Sequence, residues 1–166
     1  MRAERRALDR GTQERALQLE IVAAYLDVEL LRMGGRLKVE RCVEAGLLEA
    51  RIPPFLVQPL VENAVRHGIQ PRVEGGRVRL EARAEGSWLQ ITVADTGVGL
   101  APGLDERPGR GPGDRAHALD LLRLRLAKLY DGSFMLEVRG DPGAGTTAAI
   151  RLPLEGCERP AVTEVP

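Results

Sequence analysis

Residues 76–97 read GRVRLEARAEGSWLQITVADTG. Val78, Leu80 and Ala82 alternate with Arg77, Arg79, Glu81 and Arg83, and after Glu85-Gly86 a second run alternates through Leu89, Ile91 and Val93. Successive side chains of a strand point to opposite faces, so this pattern predicts a β-hairpin with one face buried and one wet. The buried face needs a covering layer, and the flanking sequence is helical in period. Upstream, PPFLVQPLVENAVRHG (53–68) sets Val57, Leu60, Val61, Ala64 and Val65 on one helical face, with Gly68 just past the helix end. Pro59 fits the first turn of that helix, where no donor N–H is required.

Further upstream, RGTQERALQLEIVAAYLDVELLRMGG (10–35) predicts a long helix whose apolar stripe is Leu17, Ile21, Ala24, Tyr25, Val28 and Leu31. Gly34-Gly35 is its stop. RLKVERCV (36–43) alternates as a strand, with Leu37, Val39 and Arg41 on one face. Downstream, GLAPGLDERPGRGPGDRA (99–116) is too rich in Gly and Pro for either element and is a long loop. HALDLLRLRLAKLY (117–130) is helical, and SFMLEVRG (133–140) and GTTAAIRLPL (145–154) are strands joined by a DPGAG turn. The tail 155–166 carries no pattern. The order α, β, α, β, β, loop, α, β, β predicts an α/β two-layer sandwich. Its sheet is mixed and mostly antiparallel, with helices on one face.

The 166 residues suffice for one core, and 43% of them are apolar, as in a globular domain. Aromatics make up only 3%, so Leu, Val, Ile and Ala must build that core. The 24 basic and 24 acidic residues balance, which argues against nucleic acid as a partner. Cys42 and Cys157 have no metal-ligand spacing and form no disulfide framework, so a reducing cytoplasm is the expected compartment. No apolar run approaches a membrane span and the charged N-terminus is no secretory signal, so no membrane contact is expected.

Two places carry chemistry. Asn63, Arg66 and His67 stand at i, i+3 and i+4, on one helix face. An amide carbonyl suits Mg²⁺, which takes few protein oxygens besides phosphate and water, and Arg and His can meet phosphate oxygens. Read alone, the same cluster is also a solvated edge with a Glu62–Arg66 pair. Asp95 ends an apolar strand and is followed by Gly97 and Gly99. A carboxylate there can accept from an exocyclic amino group such as that of adenine, and glycines permit sharp turns and close approach. Read alone, VADTG is also an ordinary turn. No G-x-x-x-x-G-K-[ST] loop is present, and GPGDRA (111–116) matches a dinucleotide fingerprint without the strand that must precede it.

Taken together, IPPFLVQPLVENAVRHGI, ADTGVGL and GAGTTAAIRLP resemble the N box, first glycine box and final G-x-G-T box of the GHKL ATP-binding (HATPase) domain of LytS-type sensor histidine kinases. AAYLDVELLRMGGRLKVE resembles that family's lead-in helix and first strand, and the likeness runs from about Leu17 to Leu154. The resemblance implies a cytoplasmic, ATP- and Mg²⁺-dependent protein-histidine kinase module spanning 1–154. Within it, 1–33 would be the lead-in helix, 101–116 a lid over the ATP, and 155–166 a flexible tail. Asn63 would hold the Mg²⁺ and Glu62 would polarise a metal-bound water. Arg66 and His67 would lie near the phosphates. Asp95 would bind the adenine amino group, with Gly97 and Gly99 making room and Thr146 closing the adenine site. The implied partners are a His-bearing dimerisation domain of the same kinase, whose parent can be membrane-anchored, and a response regulator.

One box departs from the family. Ala116 and Ala118 stand where its second glycine box has glycines, and Leu121 where it has Asn, although Arg123, Arg125, Leu126 and Tyr130 match. Glycine there lets backbone amides approach phosphates. The alternative reading is therefore a degenerate interaction module with weak or no ATP binding. The hydrolases that share the fold carry a catalytic Glu four residues before the metal Asn, and here that position is Pro59. His67 and His117 are the only histidines, and neither resembles a phosphoacceptor.

Overall fold

A computed structural model describes residues 22–47, 52, 55–100 and 114–154. Helix α1 (22–33) leads through a 3₁₀ turn, Gly34–Arg36, into β1 (Leu37–Val43). Helix α2 (Gln58–Asn63) continues without a break into a π-helical turn, Ala64–Ile69. Strands β2 (Gly76–Glu85) and β3 (Trp88–Asp95) follow, then α3 (Asp114–Tyr130), β4 (Met135–Asp141) and β5 (Gly145–Pro153). The expected lid residues 101–113, the first part of the lead-in helix and the tail 155–166 lie outside the described residues. The last three residues assigned to the lid, 114–116, belong to α3.

The five strands lie in the order β1-β2-β3-β5-β4. Strand β1 is parallel to β2, because the chain returns through α2 between them, and the other pairs are antiparallel. The hairpin register sets Leu80 opposite Val93 and Ala82 opposite Ile91, so the alternating apolar residues share one face. Ile150 and Leu152 of β5 continue that face opposite Ile91 and Leu89. Leu60, Val61 and Val65 of the second helix and Leu122 and Leu126 of α3 are buried in the same core. The opposite face carries Arg–Glu pairs, among them Arg77–Glu40 at 2.8 Å and Arg83–Glu85 at 2.9 Å. Exposed pairs of this kind keep a face soluble and add little stability. The expected two-layer sandwich is the observed one.

Helix α1 departs from expectation in its buried face. Val22, Leu26 and Glu29 are buried, whereas Val28 and Leu31 of the expected stripe are 60% and 86% exposed. Ala24 is exposed and Tyr25 half-buried. This helix is apolar on several sides, so period alone does not choose a face, and packing against the sheet and the second helix does. Gly68 departs as well. It does not end the helix but sits inside the π-helical turn, which runs on to Ile69 and is closed by the Gln70 N–H donating to the Val65 carbonyl at 2.9 Å.

Candidate functional site

The end of β3, the start of β5 and the helix 58–69 converge on the helix side of the sheet. Asp95 is the last residue of β3 and stands opposite Thr146 of β5. Both are buried, at 7% and 5% exposure. The Asp95 Oδ1 accepts from the Gly97 N–H at 2.8 Å and from the Thr146 N–H at 3.3 Å, so two backbone amides orient the carboxylate. A buried carboxylate needs such donors, since its desolvation is otherwise uncompensated.

Glycines make this arrangement possible. A Cβ on Gly68 would lie 2.6 Å from Asp95 Oδ1, so only glycine lets the π-helical turn pass over the carboxylate. A Cβ on Gly97 would lie 2.2 Å from the Gly68 backbone, and the Val98 N–H donates to the Gly68 carbonyl at 3.1 Å. Gly99 (φ +76°) and Gly145 (φ +90°) bring their backbones against the carbonyls of Asp141 and Asp95. Gly97 and Gly99 thus make room for the protein's own chain, locking the β3 end against the π-helical turn and the β4–β5 turn. Neither lines the pocket.

The recess between these elements is lined by Leu60, Asn63, Ala64, Val93, Asp95, Leu119, Val138, Thr146 and Ala148. Its lining is mostly apolar, with Asn63, Asp95 and Thr146 as its polar groups, the kind of composition that ligand sites have. Asn63 stands on this wall, and its amide nitrogen is buried with no hydrogen-bond partner among the described residues. An unsatisfied buried amide is uncommon and leaves a hydrogen bond for water or a ligand to make. A half-turn of that amide presents its carbonyl instead.

Of the residues expected in the site, the fold brings together Asn63, Asp95 and Thr146 in the pocket wall, with Gly97 beneath. Arg66 is exposed and His67 half-buried on the π-helical turn next to it. That turn takes more residues per revolution than an α-helix, which keeps His67 near the Asn63 face and swings Arg66 off it. Glu62 does not line the pocket; it accepts from Gln58 Nε2 at 2.6 Å. Sequence reasoning missed Gly68 as a packing residue and the apolar walls Val93 and Ala148. The walls were recoverable, since Val93 and Ala148 lie two residues from Asp95 and Thr146 on the same face of their strands. Gly68 was not, because its neighbour is 27 positions away in the chain.

Residues 54–156 match the family described as histidine kinase-, DNA gyrase B-, and HSP90-like ATPase. The chain is 32% identical over 136 residues to the sensor histidine kinase BtsS of Escherichia coli, covering 82% of this chain and 23% of that protein. It is 33% identical over 143 residues to the sensor histidine kinase/phosphatase LytS of Staphylococcus aureus, covering 83% of this chain and 24% of that one. The chain therefore spans about a quarter of the length of these curated relatives. Among solved structures it superposes on the catalytic domain of histidine kinase ThkA with a TM-score of 0.62 at 12% identity, covering 81% of this chain and 90% of that one. Full-length ShkA in complex with AMPPNP gives 0.59 at 22% identity, covering 81% and 29%. On the matched family, the shared fold and the relatives alike, the chain belongs to the histidine kinase-, DNA gyrase B- and HSP90-like ATPases, as a domain of the kind found in LytS-type sensor histidine kinases.

Proposed function

We propose that this chain is the ATP-binding catalytic domain of a two-component sensor kinase, binding Mg-ATP and delivering its γ-phosphoryl to a histidine on a separate dimerisation domain. The observation that carries this reading is the pairing in one pocket of a buried, amide-oriented carboxylate, Asp95, with the unsatisfied amide of Asn63. ShkA, of the same fold, is known in complex with AMPPNP, an ATP analogue, which supports a nucleotide as the ligand.

Asp95 accepts from the adenine amino group, Thr146 closes that end, and Val93, Val138, Ala148 and Leu119 clamp the faces of the ring. Asn63 offers a neutral carbonyl to a cation, and His67 and Arg66 lie along the same helix for the phosphates. Among the described residues no three His, Cys, Asp or Glu converge, so a cation held by Asn63 would depend on phosphate and water for its other oxygens. Bound Mg²⁺ would neutralise charge between phosphate oxygens. The remaining work of these side chains is orientation: they hold the nucleotide so that its terminal phosphoryl faces an incoming imidazole. Glu62 lies outside the recess, with its carboxylate held by Gln58 at 2.6 Å. Residues 1–154 form the catalytic unit, with 101–113 as its lid, acting in the cytoplasm upstream of a response regulator. Among the described residues no helix is long and apolar enough to cross a membrane.

The test supplies γ-labelled ATP to the 166-residue chain alone and with a His-bearing dimerisation domain in trans. The account expects acid-labile label on the added domain and none stably on the chain. Stable label on the isolated chain would contradict it. A second reading, a module that no longer binds ATP, is favoured by Leu121, 53% exposed on α3 where the family has Asn. Failure of the trans reaction together with failure to bind ATP would select it.

A further inference from the structure

Behind the pocket, α1 meets the Asn63 helix along a polar seam. Glu29 of α1 is only 6% exposed. Its Oε2 accepts from Arg32 Nη2 at 2.7 Å, and Gln70 Nε2 reaches it from the second helix at 3.5 Å, the outer edge of hydrogen-bond distance. Gln70 is the residue whose N–H closes the π-helical turn. At steps of four before it stand Arg66, Glu62 and Gln58, and Gln58 donates to Glu62 at 2.6 Å. Steps of four make one ridge along a helix. Tyr25, half-buried on α1, lies near enough to feel the charges at the middle of this row. Its phenol is pushed up to about 12, first by burial and then by the charges of Glu29 and Glu62, against Arg32 and Arg66.

Plain packing does not call for this seam. A buried carboxylate is destabilising unless paired, and Leu or Met at position 29 would bury area without that penalty. Apolar contacts also tolerate sliding and rotation, whereas hydrogen-bonded pairs fix register. The ridge Gln58–Glu62–Arg66–Gln70 lies beside the row that carries Asn63 and His67. A rotation of the helix that breaks the Glu29–Gln70 contact therefore also re-aims Asn63.

We propose that Glu29 is a positioning residue for the nucleotide site: through Gln70, which closes the π-helical turn, it sets the rotation of the helix that presents Asn63, so that α1 and the cation end of the site share one equilibrium. The proposal rests on the nucleotide reading given above. Coupling of this kind is reciprocal: displacing α1 weakens the magnesium nucleotide, and the magnesium nucleotide holds α1 in place.

The experiment titrates wild type, Glu29→Gln and Gln70→Leu with Mg-ATP, and separately with adenosine in the absence of metal, after thermal melts establish that each is folded. Adenosine engages the Asp95 end only. Both variants are expected to bind Mg-ATP about five- to tenfold more weakly while adenosine changes less than about twofold. Hydrogen exchange of the α1 amides should slow with Mg-ATP in the wild type and not in the variants. Equal weakening for both ligands would reduce Glu29 to a general structural role and overturn the proposal, as would unchanged Mg-ATP binding. If the wild type binds neither ligand, the nucleotide reading falls and this inference with it. If the wild type binds both and the variants match it, only this inference falls.

Discussion

At Gly68 a methyl group would sit 2.6 Å from one Asp95 oxygen and 2.9 Å from the other. Two effects of Gly68→Ala oppose each other. Alanine in a helical segment is favoured over glycine by about 0.5–1 kcal/mol. Forcing a methyl into a filled site costs about 1–3 kcal/mol, and here the atoms it meets are a carboxylate already fixed by two amides. The second effect wins, so Gly68→Ala should lower unfolding free energy in urea by about 1 kcal/mol or more and displace Asp95. A neutral or stabilising result would show that the carboxylate can yield. Tyr25 gives a second prediction. Its phenol rises from 10.0 to about 12 in the folded chain. A raised folded pKa contributes stability that is complete below the unfolded pKa and is lost as pH rises through the folded one. The window is thus pH 10 to 12, and across it Tyr25→Phe should lose less stability than the wild type, read from urea midpoints. Parallel decline of the two proteins would remove Tyr25 from the account.

Helix α1 offers two apolar stripes, and its burial separates them by experiment. Leu26→Ala should cost about 2–5 kcal/mol in denaturant unfolding, since Leu26 is fully buried, while Leu31→Ala, at a residue 86% exposed, should stay within about 0.5 kcal/mol. The reverse ranking would restore the stripe that periodicity alone suggests. The other elements were more legible. The hairpin 76–95 shows strict alternation because one face is wet, and the second helix shows its face because Glu62, Asn63 and Arg66 cannot be buried against the sheet without partners. The helix 22–33 has no such contrast: Val28 and Leu31 look as apolar as Val22 and Leu26, and Glu29, which reads as a surface residue, is buried with Arg32 of its own helix and Gln70 of another element as partners. The π-helical turn was likewise illegible, and the residues that pack against it at Gly68, namely Asp95 and Gly97, come from across the fold. Asp95, Asn63 and Thr146 were expected together from the sequence, and the fold sets all three on one recess. That Gly97 and Gly99 serve the chain's own packing could be seen only once β3 and β5 were placed side by side.

For the whole molecule, the sheet brings a strand end, a strand start and a helix to one corner, and the chemistry sits where these three meet. Asp95 and Thr146 are 51 residues apart in the chain and directly opposed in the sheet. Under the proposed function the carboxylate would read the base, while the helix that carries Asn63 would serve the phosphates. We propose that this corner binds Mg-ATP through Asp95 and Asn63, despite Ala116, Ala118 and Leu121 at the second glycine box. The decisive experiment is calorimetric titration of Mg-ATP into wild type, Asp95→Asn and Asn63→Ala. The wild type is expected to bind, with a loss of roughly ten- to a hundredfold in Asp95→Asn, as for a hydrogen bond to a charged group. Removing Mg²⁺ should weaken the wild type but leave Asn63→Ala little changed. Folded wild-type protein that binds no ATP at millimolar concentration, or Asp95→Asn that binds as well as wild type, would contradict it.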